Sequence, residues 1–217
     1  LSPSVDGQPI SPYQTIDLQA GATLRFGKAQ SGCRSYLAIR GQWLTQKWLG
    51  SASMATQHHS LLTPDSLLQK NQLFRVLSRP AIPFRLLPPR ALPERQKTQL
   101  LNVLPGPEFE YFERKNIAHF FAQSYTVTPQ SNRMGYRLER AVPDFVWPRE
   151  NLSSGIVPGT IQITNSGQAI VLLADAQTVG GYPRIANLDN DSLDQIAQLR
   201  PGEQLRFQLK ARTDNAE

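Results

Sequence analysis

The residues best suited to chemistry crowd between Thr128 and Pro183, where amides, guanidinium groups, glycines and short strands recur more densely than packing demands. Gln130-Ser131-Asn132-Arg133-Met134-Gly135-Tyr136-Arg137-Leu138 sets two amides, two guanidinium groups and a phenol around one glycine. Arginine offers a bidentate fork, and Asn and Gln offer amide dipoles, so the set suits a carboxylate or a polarised carbonyl. Asp175-Ala176-Gln177-Thr178-Val179-Gly180-Gly181-Tyr182-Pro183 follows an apolar strand and ends in a Gly-Gly turn. Its side chains are expected to emerge at a strand end beside flexible backbone. A plain β-turn with surface Arg and Gln is the alternative reading of either segment alone.

Other chemistries find less support. Gly21 to Lys28 looks like a phosphate loop, but its glycines enclose five residues instead of four, Ala29 replaces the Mg²⁺-binding hydroxyl, and the stretch alternates as a strand does. His58-His59 has no Cys or His at metal-ligand spacing, so a solvated loop and no metal site are expected. Cys33 with His119 as base would make a nucleophile, yet a lone Cys beside a strand reads as a small packing residue.

The elements that must position these groups are mostly strands. Tyr36–Ile39, Asn102–Leu104, Tyr125–Thr128, Thr160–Thr164 and Ala169–Leu173 are short, apolar or β-branched, and bounded by Gly, Pro or Asn. Asn165-Ser166-Gly167 reads as a hairpin loop. A helix is expected over Pro107–Phe121: Pro107 opens it, Glu108, Glu110 and Glu113 precede Arg114, Lys115 and His119, and Phe109, Phe112, Ile117, Phe120 and Phe121 supply the buried face. A second follows Asp191, through Leu193, Ile196 and Ala197, with Asp189, Asp191 and Asp194 at its start. The sum is mainly β with a few short helices, a pattern of barrels or sandwiches.

Five prolines between Pro80 and Pro93 bar both helix and central strand, so residues 80–97 read as a linker between an amino-terminal part, 1–79, and a carboxy-terminal part, 98–217. An internal echo suggests that the two parts are related. Leu18–Phe26 and Leu199–Phe207 share the pattern L-x-x-G-x-x-L-R-F, in which Gly supplies a turn and the alternation a half-buried strand.

The 217 residues carry 23 Lys and Arg against 17 Asp and Glu, a formal charge of +6. The nearest approach to a basic cluster, Arg75, Arg79, Arg85, Arg90 and Arg95, is interleaved with Pro and Leu without helical spacing, so a solvated face is expected and no nucleic-acid partner. One cysteine cannot form an internal disulfide, and no apolar run approaches the roughly 20 residues of a spanning helix. A soluble, cytoplasmic protein without a membrane partner is the expectation. Leu1 in place of an initiator Met suggests a processed form or a fragment.

The chain resembles the biotin-dependent carboxyltransferase family, also called allophanate hydrolase subunit 2, which includes the C subunits of 5-oxoprolinases and KipA-type antagonists of a kinase inhibitor. The stretches that carry the resemblance are LSPSVDGQPI, GATLRFGKAQSGCRSYLAIRG, LNVLPGPEFEYF, YTVTPQSNRMGYRLE, SGIVPGTIQI, GQAIVLLADAQTVGGYPRIA and LRPGEQLRF. They follow one another along the chain in family order.

That resemblance implies two cyclophilin-like β-barrel domains, the first incomplete here, and a cleft facing a partner that is a 5-oxoprolinase B subunit or a KipI-like protein. It implies a component of an ATP-dependent enzyme that opens 5-oxoproline to glutamate, or a related carboxyltransferase acting on a small amide such as urea. The alternative is a KipA-like regulatory module that binds a KipI-like partner without turnover. By the same resemblance the catalytic roles fall on Asn132, Arg133, Tyr136 and Arg137, and substrate binding on Gln130, Gln177, Thr178, Tyr182, Gly159 and Thr160. ATP would be used by the holoenzyme. No Lys neighbours Met54 or Met134, so this chain shows no biotin attachment site.

The sequence departs from the family in several places. Other members usually carry a long Gly-rich stretch before the position of Leu1, where this sequence begins. Gly41-Gln42-Trp43-Leu44 and Leu49-Gly50-Ser51-Ala52-Ser53-Met54 replace G-G-I-D and L-G-S-R-S-T, and residues 55–99 match poorly. Trp43, Trp48 and Leu49 are thereby candidates for an apolar surface that a partner covers, with a buried core role the alternative for each.

Overall fold

A computed structural model describes residues 1–53, 68–91, 98–150 and 152–210. His58-His59, Met54 and Arg95 lie outside the described residues. The chain divides into two compact units, one of Pro3–Arg25 and Ser35–Pro88, the other of Leu1–Ser2, Phe26–Arg34 and Pro89–Glu217.

The first unit holds short strand pairs. β1 (Pro3–Val5) and β2 (Gln8–Pro9) form a hairpin, with β3 (Leu24–Phe26) on the other side of β1, and β4 (Gln42–Trp43) pairs with β5 (Val76–Leu77). Asp6 fastens the first group, its amide donating to Thr23 O at 3.0 Å and its carboxylate accepting from the Thr23 amide at 2.7 Å. Trp43 meets Phe74 edge to face at 5.7 Å. The strand expected at Tyr36–Ile39 is absent, and Tyr36 is 89% exposed: without a covering layer, an apolar run has nothing to pair or pack against.

The second unit is a nearly closed barrel. Its elements are β6 (Thr98–Pro105), α1 (Arg114–Ala122), β7 (Tyr125–Thr126), β8 (Gly135–Ala141), β9 (Ser154–Gly155), β10 (Thr160–Ile163), β11 (Gln168–Leu172), β12 (Val179–Gly180), β13 (Arg184–Leu188), α2 (Asn190–Ile196) and β14 (Gln204–Leu209). Seven strands run in the order β7-β14-β6-β13-β10-β11-β8. The two edge strands then meet: Val127, just past β7, bridges Leu138 of β8, and the Thr128 amide donates to Arg137 O at 3.0 Å. Closure removes the unpaired edges that an open sheet would expose.

Alternation along the strands fills the interior. Leu101 and Val103 of β6, Tyr136 and Leu138 of β8, and Leu205 and Phe207 of β14 are buried, while the intervening Arg137 and Arg206 face outward. α1 adds Phe120, whose ring stacks on Phe207 with centroids 4.9 Å apart and planes 6° from parallel. α2 adds Ile196. Its cap is Asp189, which accepts from the Ser192 amide at 2.9 Å and meets Lys210 Nζ at 2.9 Å, so the helix starts at Asn190, one residue before Asp191.

The expected helix over Pro107–Phe121 is broken. A 3₁₀ turn at Phe109–Tyr111 gives way to extended backbone at Phe112 and Glu113 before α1 begins. The break turns Phe112 inward, where it is 6% exposed and packs on Phe145 and Trp147 at 5.8 and 4.9 Å. Burying one large ring outweighs a few residues of helix propensity.

The echoed segments adopt one local geometry. Ala22 N donates to Gln19 O, and Glu203 N to Arg200 O, each at 3.0 Å, across turns with Gly21 at φ +87° and Gly202 at φ +88°, and a strand follows each. Asn165-Ser166-Gly167 joins β10 to β11 as expected, with Gly167 at φ +77°. Among the described residues no helix is long and apolar enough to cross a membrane.

Phe207→Ala is expected to destabilise the protein by about 3–5 kcal/mol, the usual loss for a buried ring. Urea unfolding measures it; a loss below about 1 kcal/mol would show that the Phe120–Phe207 stack is not part of a tight core.

Candidate functional site

At one end of the barrel the backbone leaving β6 passes close to β13. Gly106 makes that approach possible: a Cβ there would lie 2.2 Å from Arg184 O, and the Gly106 amide donates to Ile185 O at 3.0 Å. Glu108 is thereby set beside Arg184. Glu108 Oε2 accepts from the Arg184 amide at 3.0 Å and from its Nε at 2.7 Å, Oε1 accepts from Nη2, and Nη1 donates to Gly155 O at 2.9 Å. The side chains are only 18% and 16% exposed. Burial pushes the Glu108 carboxyl up, but the hydrogen bonds and charge of Arg184 together outweigh it and hold the group below the usual carboxylate range.

This pair forms one wall of a cavity of about 360 Å³. Three aromatic residues, Tyr111, Trp147 and Tyr182, line it with Gly180, and Arg149 and Glu150 bring charge. The Arg149 guanidinium carbon lies over the Tyr111 ring, 3.8 Å from its centre, a cation–π contact. β9 and β12 pair through Ser154 and Gly180, and a Cβ on Gly180 would stand 2.9 Å from Gln162 Nε2, so the Gln162 amide would have to shift. A cleft of this size with aromatic walls and a few polar groups is suited to a small ligand.

The expected site residues divide between three places. Tyr182 lines the cavity. A second group lies where the turn before β8 meets the turn after β11: Arg133 Nε donates to Asp175 Oδ2 at 2.6 Å, Asp175 N to Arg133 O at 3.2 Å, and Leu173 N to Met134 O at 3.0 Å. Asn132 Oδ1 accepts from the Met134 amide at 2.8 Å and holds that turn. Gln130, Asn132, Arg133, Arg137, Gln177 and Thr178 are all exposed in this region.

The third group is built into the barrel wall rather than a cleft. Tyr136 is 2% exposed; its hydroxyl donates to Leu199 O at 2.8 Å and accepts from Arg34 Nη1 at 2.7 Å, while Arg34 also bonds Ala197 O. Burial pushes the phenol up, and Arg34 opposes it. Gly159, at φ +91°, donates to Leu172 O at 2.8 Å and accepts from the Leu188 amide at 2.9 Å. Thr160 is 1% exposed and its hydroxyl donates to Asn187 Oδ1 at 2.9 Å. The protein itself occupies the polar groups of these three residues.

Residue type and spacing do not mark Glu108, Arg184, Tyr111 or the Arg149–Glu150 pair as site residues. The signal for the first two lies in opposite charges, one in LNVLPGPEFEYF and one in GGYPRIA. Among the described residues no group of three His, Cys, Asp or Glu side chains is placed to hold a metal ion.

A family model of the carboxyltransferase domain, subdomains A and B, matches residues 1–209. The 5-oxoprolinase C subunit of Escherichia coli K12 is 33% identical over 211 residues, which cover 92% of this chain and 66% of that protein. The 5-oxoprolinase C subunit of Haemophilus influenzae is 31% identical over 211 residues, 94% of this chain and 65% of that protein. This chain therefore spans slightly less than two thirds of either relative. The crystal structure of Kluyveromyces lactis urea carboxylase has the same fold, with a TM-score of 0.82 at 26% identity over 95% of this chain and 20% of that one.

Glu108→Gln is expected to destabilise the protein by about 1.5–3 kcal/mol at neutral pH, through the loss of charge-assisted hydrogen bonds to Arg184. Because the folded carboxyl sits below its ordinary value of 4.5, its contribution is complete above that pH and disappears as pH falls through the folded value. Unfolding measured from pH 7 down to pH 3 should show wild type and Glu108→Gln converging in acid; a constant gap would refute the linkage.

Proposed function

Because the chain belongs to the carboxyltransferase-domain family, we propose that it is part of a C-type component of a 5-oxoprolinase, opening the lactam of 5-oxoproline to glutamate together with a partner chain. The observation that carries this reading is the meeting of the two motif-bearing segments at Arg133 and Asp175. From there the segment 175–184 runs from the exposed polar group to the small-ligand cavity at Tyr182 and Arg184. Asn132, Arg133 and Arg137 keep their proposed catalytic roles at one end of that segment, with Gln130, Gln177 and Thr178 as substrate contacts. Tyr136, Gly159 and Thr160 support the wall behind them.

The partner in this reading is a 5-oxoprolinase B subunit or a KipI-like protein. Exposed apolar side chains of the first unit support it, among them Trp48 at 50%, Leu49 at 90% and Leu73 at 94%, since apolar surface of this kind is normally covered. The reading assigns ATP to another chain of the holoenzyme. A second reading, carboxyl transfer to a small amide from carboxybiotin carried elsewhere, draws its support from the fold shared with urea carboxylase.

Coexpression with a B-type partner, followed by an assay of ATP-dependent 5-oxoproline consumption, tests the proposal. Turnover that needs both chains is expected, and Arg133→Ala should lower kcat/KM about 10- to 100-fold, as the loss of a charge-assisted contact does. A complex that forms but never turns over 5-oxoproline would replace the enzyme by a regulatory module.

A further inference from the structure

Among the described residues, two opposite charges in the barrel-end cavity have no ion-pair partner. Arg184 is spoken for, with Nε and Nη2 on Glu108 and Nη1 on Gly155 O. Arg149 is different: its guanidinium carbon stands 3.8 Å over Tyr111, and among the described residues it meets no carboxylate. The contact is made through the guanidinium carbon, and among the described residues no acceptor is hydrogen-bonded to the Arg149 N–H donors, a fork that suits a carboxylate. Glu150 lines the same cavity and, among the described residues, accepts from no donor. Adjacent residues of opposite charge thus share one cavity without pairing to each other.

We infer that this cavity recognises a small acid that also carries an amide or amine N–H, with the carboxylate on Arg149 and the N–H donating to Glu150. A purely anionic ligand would meet Glu150 as a like charge, and a neutral amide would leave Arg149 unanswered; a molecule bearing both groups satisfies both. Trp147 and Tyr182 then flank the apolar body of the ligand. The inference deepens the 5-oxoprolinase reading and rests on it for the identity of the acid, though not for the charge pattern that selects it. It makes Arg149 and Glu150 specificity-determining residues at the cavity end of the segment 175–184, whose other end meets Arg133.

Calorimetric titration of the full chain tests the inference with three probes: 5-oxoproline, 2-pyrrolidone, which is the same lactam without the carboxylate, and N-methyl-5-oxoproline, which lacks the N–H. The acid should bind, and the other two at least about tenfold more weakly. Arg149→Met should weaken the acid about 10- to 100-fold and leave 2-pyrrolidone unchanged. Glu150→Ala should reduce the acid to the affinity of its N-methyl form. Both side chains are exposed, so thermal melts of the variants should match wild type and confirm folding.

Unchanged binding in Arg149→Met, equal affinity for 2-pyrrolidone and the acid, or no binding of any probe would overturn the assignment. The two readings fail separately. Arg149-dependent binding without turnover in the coexpressed complex would leave recognition standing and remove the reaction. Turnover with wild-type KM in Arg149→Met would do the reverse.

Discussion

The bidentate contact between Glu108 and Arg184 is the constraint on which the barrel end depends. Three of the four hydrogen bonds that Arg184 donates there run to a single carboxylate, and the fourth reaches Gly155, so one pair joins the exit of β6, the start of β13 and the small β9–β12 ribbon. An ion pair so withdrawn from water adds little net stability over an apolar pair of similar shape, because desolvation offsets much of the attraction. What it adds is position. Neither partner tolerates the loss of the other, so the loop after β6 and the turn before β13 are held in one arrangement.

The barrel is legible in the sequence to the extent that strands announce themselves by alternation and by their turns. Thr160–Thr164, Ala169–Leu173 and the Asn165-Ser166-Gly167 loop can be read because each signal is local. Pro107–Phe121 misleads for the same reason. Its charges and apolar spacing describe a helix, and only the rings of Phe145 and Trp147, distant in sequence, draw Phe112 out of it. Tyr36–Ile39 shows the converse, a β-prone run that finds no neighbour.

The site is legible in part. Polar residues beside glycines mark the two turns that meet at Arg133 and Asp175, and Tyr182 at the cavity. Residue type alone cannot separate Tyr136, whose phenol is consumed by Leu199 and Arg34, from Tyr182, which lines the cavity. Burial makes that distinction, and burial is a property of the closed barrel. Arg149 and Glu150 lie in a stretch without recognisable periodicity, and only the Tyr111 ring from another segment marks out the first of them.

The place of β14 has a consequence for how the molecule is made. It lies between β7 and β6, running parallel to β6 from Gln204 against Thr98 to Leu209 against Val103. The barrel therefore keeps a gap in its middle until a strand more than a hundred residues later in the chain arrives to fill it, and β7 has no partner on that side before then. Pairings of such long sequence separation are slow to form. On a ribosome, the nascent barrel would wait with the edge of β6 open until β14 has emerged, an interval in which a chaperone or a neighbouring chain has access to that edge.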